Sequence, residues 1–192
     1  MRVNLTDVIS PAFYDMHHKI RAGEIGEALL KGGRGSGKSS MVSVEIILQL
    51  LAHPKCHAVA MRKIKGTLRT SVHAQMRWAV SALGLDAYFS YSVSPMQIVY
   101  KPTGQTIYFF GLDDPGKLKS IKVPFGYIGV LWFEELDQFT EDEVRSVEQS
   151  VFRGGDFTLS FKSFNPPVDA KHWVNTLEEK PGRYQHRSTY LE

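Results

Sequence analysis

The stretch Ala28-Leu29-Leu30-Lys31-Gly32-Gly33-Arg34-Gly35-Ser36-Gly37-Lys38-Ser39 decides the reading of this chain. A short apolar run ends in glycines, and Lys38 to Leu51 is long enough for a helix that His53-Pro54 closes. Between them, Gly32 to Ser39 match the pattern Gly, four residues, Gly, Lys, Ser or Thr of a phosphate-binding loop. Glycines let backbone amides turn toward phosphate oxygens, and the helix N-terminus adds partial positive charge. Lys38 can reach the β and γ phosphates of a nucleotide, and the Ser39 hydroxyl can ligate Mg²⁺. Gly32, Gly33, Arg34, Gly35, Ser36, Gly37, Lys38, Ser39 and Ser40 are therefore the candidate phosphate-binding residues. A merely flexible glycine turn has no need of lysine and serine at the helix start. Arg34 either forks onto a γ-phosphate oxygen as charge develops there or points to solvent.

Working outward, strands and helices alternate. His57 to Arg62 reads as a second strand and Thr67 to Leu83 as a second helix stopped by Gly84. Gln97 to Tyr100 and Thr106 to Phe110 are β-prone runs joined as a hairpin. Tyr127-Ile128-Gly129-Val130-Leu131-Trp132-Phe133 is nearly all apolar, as a parallel strand covered on both faces would be. Thr140 and Glu143 form a capping box for a helix reaching about Phe152. Strands near Thr158 to Phe164 and Gln185 to Tyr190 complete the series. The expected fold class is α/β, a mainly parallel sheet flanked by helices with an added antiparallel hairpin.

The apolar strand ends in Glu134-Glu135, which it would carry to the carboxyl edge of the sheet, where open α/β folds bind ligands. Adjacent residues leave a strand in opposite directions, so Glu134 is assigned to the Mg²⁺ shell and Glu135 to activation of the attacking water. Asp137 is the reserve for either role. Ser163 and Asn165, at period two before Pro166-Pro167, could hydrogen-bond to phosphate or water, or could simply belong to an Asn-Pro turn.

Composition excludes several classes. The chain has 192 residues, 43% hydrophobic and 22% charged, about the size of one soluble domain. The single Cys56 rules out an internal disulfide framework, and no Cys/His cluster has zinc spacing. No apolar run approaches the roughly 20 residues of a membrane span, and the N-terminus lacks a signal-peptide pattern, so a cytoplasmic, non-membrane protein is expected. The net charge of +3 is too balanced to prove nucleic-acid binding and too mild to exclude it. Arg62 to Lys65 and Lys117 to Lys122 are basic runs that either touch DNA phosphates or lie solvated. His17-His18 read as surface or packing residues.

Lys31 to Ser39, Leu131-Trp132-Phe133-Glu134-Glu135-Leu136, Ser163-Phe164-Asn165-Pro166-Pro167 and Ser188-Thr189-Tyr190-Leu191 together resemble the large terminase subunit of tailed bacteriophages, over nearly the whole chain. The resemblance implies a P-loop NTPase of RecA-like, ASCE type. Its Walker A loop, Walker B strand with catalytic Glu135, and coupling motif at Ser163 and Asn165 would power a packaging motor. It implies ATP as substrate and Mg²⁺ as cofactor, with Glu135, Lys38 and Arg34 catalytic and Ser39 and Glu134 at the metal. The implied partners are double-stranded DNA, a small terminase subunit, the portal and procapsid, and further copies in a ring that could be monomeric in isolation. The implied location is the cytoplasm of an infected bacterial host. An adenine pocket is implied upstream of the loop, where Phe13 or Tyr14 could stack on the base or pack in the core.

Three departures stand out. Glu134 occupies a metal position that is usually Asp. The resemblance implies a C-terminal nuclease domain that residues 1–192 are expected not to include, so they are expected to form one ATPase domain that does not cut DNA. Lys119 and Lys122 sit where a neighbour-directed arginine finger would be sought, leaving Arg34, Arg62, Arg69 and Arg153 as candidates. A helicase-like motor and a nucleotide-gated assembly module remain alternatives.

Overall fold

A computed structural model describes residues 3–113 and 121–188. Eight strands form one sheet: β1 (Glu27–Gly32), β2 (Cys56–Arg62), β3 (Phe89–Val93), β4 (Met96–Tyr100), β5 (Gln105–Gly111), β6 (Tyr127–Glu134), β7 (Leu159–Phe164) and β8 (Arg183–Ser188). Their spatial order is β3-β4-β5-β2-β6-β7-β1-β8. Neighbours from β5 to β8 run parallel, while β3 with β4 and β4 with β5 are antiparallel. The helices are α1 (Tyr14–Arg21), α2 (Lys38–Ala52), α3 (Ala74–Ala82) and α4 (Glu141–Val151).

The central strands are apolar on both faces because both faces are covered. Ala58, Ala60, Val130, Trp132 and Phe161 pack with Phe13 and Met16 near the first helix and with Val44, Ile47 and Met76 of α2 and α3. The alternate residues Val59, Met61, Leu131 and Phe133 pack with Val144 and Val147 of α4 and with Phe139, Phe164 and Val174. This alternation is the two-residue period of a strand. At the start of α4, the Glu143 amide donates to Thr140 Oγ1 at 3.2 Å and the Thr140 amide to Glu143 Oε2 at 2.8 Å, the expected capping box.

The antiparallel hairpin is present as β4 and β5, and β5 also pairs in parallel with β2 and so joins the main sheet to β4. Several expectations need correction. A further strand, β3, lies at the sheet edge; its alternating Phe89-Ser90-Tyr91-Ser92-Val93 is half polar, as an edge strand allows. The helix expected over Thr67 to Leu83 is not uniform. A 3-10 turn at Lys65–Thr67 and a π-helical turn at Arg69–His73 precede α3. The final strand begins two residues before the span expected for it. Lys117, Lys119 and the Thr189 to Leu191 tail lie outside the described residues.

Candidate nucleotide site

The loop between β1 and α2 is held in a tight curve. Gly35 and Gly37 both have φ of 76°, a conformation that side chains rarely adopt, and Gly37 caps α2. A Cβ on Gly32 would collide with the backbone carbonyl of Ser188 at the end of β8. The Ser188 hydroxyl donates to Ser36 Oγ at 2.9 Å, and Ser36 Oγ donates to Gly33 O at 2.9 Å. Ser188 thus braces the loop from the neighbouring strand, a role its sequence position does not reveal.

Lys38 is buried, and its ammonium donates to the Gly32 and Gly33 carbonyls at 2.7 Å each and to Ser36 Oγ at 2.9 Å. Burial pushes its pKa down from the usual lysine value. Asn165 Oδ1 is also 3.5 Å from Nζ. Arg34 is exposed at the rim.

Sheet order explains how the other residues arrive. β7 lies between β1 and β6, with Ser163 in register with Leu30 on one side and Glu134 on the other. Ser163 and Asn165 therefore stand between the phosphate loop and the two glutamates. Ser163 Oγ accepts a bond from the buried Trp132 Nε1 at 2.9 Å, which fixes its position. Gly33, Lys38, Glu134, Glu135, Ser163 and Asn165 line one cleft of about 310 Å³, together with Ser36, Ser39, Ser40 and Gln75.

Glu134 is the last residue of β6 and Glu135 follows it outside the strand, and both carboxylates meet the guanidinium of Arg62. The Ser39 hydroxyl donates to Glu134 Oε1 at 3.2 Å. Glu134 Oε2 is 3.2 Å from Arg62 Nε, yet the geometry is not that of a hydrogen bond, and the buried Oε2 has no hydrogen-bond partner among the described residues. Burial raises the Glu134 pKa, an effect that Arg62 and Ser39 only partly offset. Glu135 carries φ of 57°, the one positive φ outside glycine among the described residues. That turn sends its carboxylate sideways, where it meets Arg62 Nη2 and accepts from Gln138 Nε2 at 2.7 Å. Asp137, the reserve candidate, is not among the residues lining the cleft, and burial raises its carboxyl pKa.

An orphaned carboxylate oxygen beside a serine hydroxyl at the mouth of a phosphate loop fits Mg²⁺, which takes oxygen ligands and usually keeps several waters. Among the described residues no cluster of three or more His, Cys, Asp or Glu could hold a metal by itself, and a phosphate-borne Mg²⁺ needs none.

Other sequence candidates fall elsewhere. Phe13 is 1% exposed and packs on the His186 ring at a centroid distance of 4.3 Å, against Gly37, so it has no open face for a base. Tyr14 is half-buried against the core, and neither ring lines the cleft. Arg62, a finger candidate, is instead engaged within its own subunit by both glutamates. Lys63 is bound to Glu143 at 2.6 Å, which withdraws it from the basic run. His17 is buried and bonds Glu45 of α2 at 2.8 Å, a packing role. No described helix is long and apolar enough to cross a membrane.

One bracing residue had no signal in the sequence. Asn175 accepts from Lys31 Nζ at 3.0 Å and donates to the carbonyls of Pro167 at 3.0 Å and Asp169 at 2.9 Å. It ties the strand that enters the phosphate loop to the segment that leaves Asn165.

The family model described as phage terminase large subunit matches residues 27–192. The large terminase subunit of Bacillus phage SPP1 is 34% identical over 200 residues, covering 100% of this chain and 47% of that protein. The large terminase of a thermophilic bacteriophage superposes with a TM-score of 0.75 at 16% identity, over 95% of this chain and 46% of that one. In complex with ATP-gamma-S, the same phage protein superposes with a TM-score of 0.71 at 15% identity, over 95% of this chain and 45% of that one. The chain thus spans about half the length of these relatives, and the structural likeness establishes the shared α/β fold. This chain belongs to the phage terminase large subunit family.

Proposed function

We propose that this chain is the ATP-hydrolysing unit of a motor that drives double-stranded DNA into a procapsid. The observation that carries the reading is the convergence of Lys38, Ser39, Glu134, Glu135 and Asn165 on one cleft. The ATP phosphates would lie along the backbone amides of Gly33 to Lys38, with Lys38 exchanging its carbonyl partners for β and γ oxygens. Ser39 and Glu134 would hold Mg²⁺, which when bound offsets the charge of the phosphates. Glutamate is one methylene longer than aspartate, and its Oε1 already reaches Ser39, so it can act directly or through a metal-bound water.

Glu135 would orient the attacking water and accept its proton, and Arg62 holds that carboxylate at the cleft wall. Arg34, exposed at the rim, would stabilise charge developing on the γ-phosphate. Asn165, at the limit of contact with Lys38, would register γ-phosphate loss, and Ser163 would support it from β7. The wider reading extends to residues 1–192 as one ATPase domain. Its partners would be a small terminase subunit, the portal and procapsid, and a ring of further copies, in the cytoplasm of an infected host.

The test is steady-state ATP turnover against protein concentration for wild type and Glu135→Gln, with ATP binding measured for both. Lost turnover with binding intact is the expected result. A rate per molecule that rises with concentration would mark a residue supplied by a neighbour. Equal turnover in both proteins would remove Glu135 from the mechanism.

A further inference from the structure

A second cavity, of about 540 Å³, adjoins the first and shares Ser39, Ser40, Gln75 and Glu134 with it. Its outer wall is the helix that begins with the π-helical turn Arg69–His73, and it adds Thr70, Ser71 and the 43%-exposed Trp78. The His73 amide donates to Leu68 O at 3.0 Å, five residues back. One extra residue in a turn rotates the preceding helix face by about 100° relative to the next turn. Ser71 and Gln75 both reach the site across this junction.

Their partners mark which way they work. Ser71 Oγ is 2.7 Å from Thr67 O as a donor, and its lone pairs remain available as acceptors. The same hydroxyl hydrogen-bonds toward the Glu134 carboxylate and, against the burial that raises its pKa, helps hold it down, so its one proton faces two acceptors. One end of the Gln75 amide bonds Ser40 Oγ at 3.2 Å, and the other end has no protein partner among the described residues. Glu134 Oε2 is a further buried acceptor with no hydrogen-bond donor among those residues. The wall on the far side of Ser39 therefore presents acceptors of Ser71, Gln75 and Glu134 to this cavity. Water ligands of a divalent cation are strongly polarised donors, and Mg²⁺ gives up its waters reluctantly.

We propose that Ser71 and Gln75 are positioning residues of the metal subsite, accepting hydrogen bonds from water ligands of the Mg²⁺ that accompanies ATP. This rests on the nucleotide reading above and extends it to two residues that line the adjoining cavity. They act through the hydration shell and not on the phosphates, so their contribution is confined to the metal-dependent part of nucleotide affinity.

The experiment measures ATP-gamma-S affinity by titration calorimetry with Mg²⁺ and again with EDTA, for wild type, Ser71→Ala, Gln75→Ala, the double variant and Gln75→Glu. The expected result is that the ratio of the two affinities falls roughly tenfold in the double variant, the scale of lost outer-shell partners, with a much smaller change in the EDTA affinity. Gln75→Glu keeps an acceptor and preserves or raises the ratio. Both side chains are partly exposed, so the variants fold. An unchanged ratio in the double variant, or equal losses with Mg²⁺ and EDTA, overturns the inference and leaves the nucleotide reading standing. Failure of wild type to bind ATP-gamma-S at all overturns the nucleotide reading and this inference with it.

Discussion

The Ser39 hydroxyl donates to Glu134 Oε1 across 3.2 Å, although 95 positions separate the two residues in the chain. Burial holds the Glu134 carboxyl above its ordinary value, against the pull of Arg62 and Ser39. Its ionised, metal-competent form is therefore lost on acidification before an ordinary carboxylate would protonate. We expect Mg²⁺-dependent ATP-gamma-S affinity to fall on acidification more steeply in wild type than in Glu134→Gln, and to begin falling above the range in which an ordinary carboxylate protonates. In that variant the metal-dependent increment is already small and nearly flat. Identical slopes in the two proteins, measured by calorimetry, would remove Glu134 from the metal site.

Arg62 touches both glutamates, Nε toward Glu134 and Nη2 on Glu135. Its fork gathers on one cation two like charges that would otherwise repel. Arg62→Ala is expected to lower ATP turnover by about 10²-fold, the scale of a misplaced reacting group, with a smaller change in nucleotide affinity. Arg62→Lys should recover little, because a point charge cannot serve two carboxylates in separate directions. Full turnover in Arg62→Lys would show that charge alone suffices.

Asn175 closes three hydrogen bonds between segments far apart in the chain. Asn175→Ala would leave the Lys31 ammonium and two carbonyls to find other partners. A cost of about 1 to 3 kcal/mol is expected. At this chain size that lowers the thermal midpoint by about 2 to 4 °C for each kcal/mol. Calorimetric melting of wild type and variant checks this, and an unchanged midpoint would show that the clasp is not structural.

Glu27, at the start of β1, is surrounded by Lys162, Lys180 and Arg183. Burial alone would raise its pKa, but these cations outweigh burial and hold it down to about 2. A lowered carboxyl stabilises the fold above its unfolded value near 4.5 and loses that stabilisation as pH falls toward 2. With solvent screening at the rim, the full effect is on the order of 2 to 3 kcal/mol. Glu27→Gln should therefore be less stable than wild type at neutral pH. Urea unfolding should show the gap closing as the pH drops through that window, and a gap independent of pH would contradict the assignment.

Much of the architecture was legible because its signals are local. Strand period, the glycine pattern before Lys38-Ser39 and the Thr140-Glu143 capping box each depend on residues within a few positions of one another, and each appears in the structure within about two residues. The paired glutamates could likewise be placed at a strand end from the apolar run before them. Where the reading erred, the determinants were not local. The π-helical turn before α3 has no distinguishing composition, and half-polar β3 resembles a loop in sequence.

The sequence by itself determined the phosphate loop and most of the order of elements, since covalent spacing writes those patterns, and its motifs carried the resemblance to the family. Only the tertiary structure decided that Phe13 is sealed in the core, that Arg62 clamps Glu134 and Glu135 within one subunit, and that Gln75 meets Ser40. The same holds for Ser188, braced on Ser36 from 152 positions away, and for Asn175, bound to Lys31 across 144. The physical reason is strand order. The sheet inserts β7 between β1 and β6 and sets β8 beside β1, and that arrangement selects which distant side chains share the carboxyl edge.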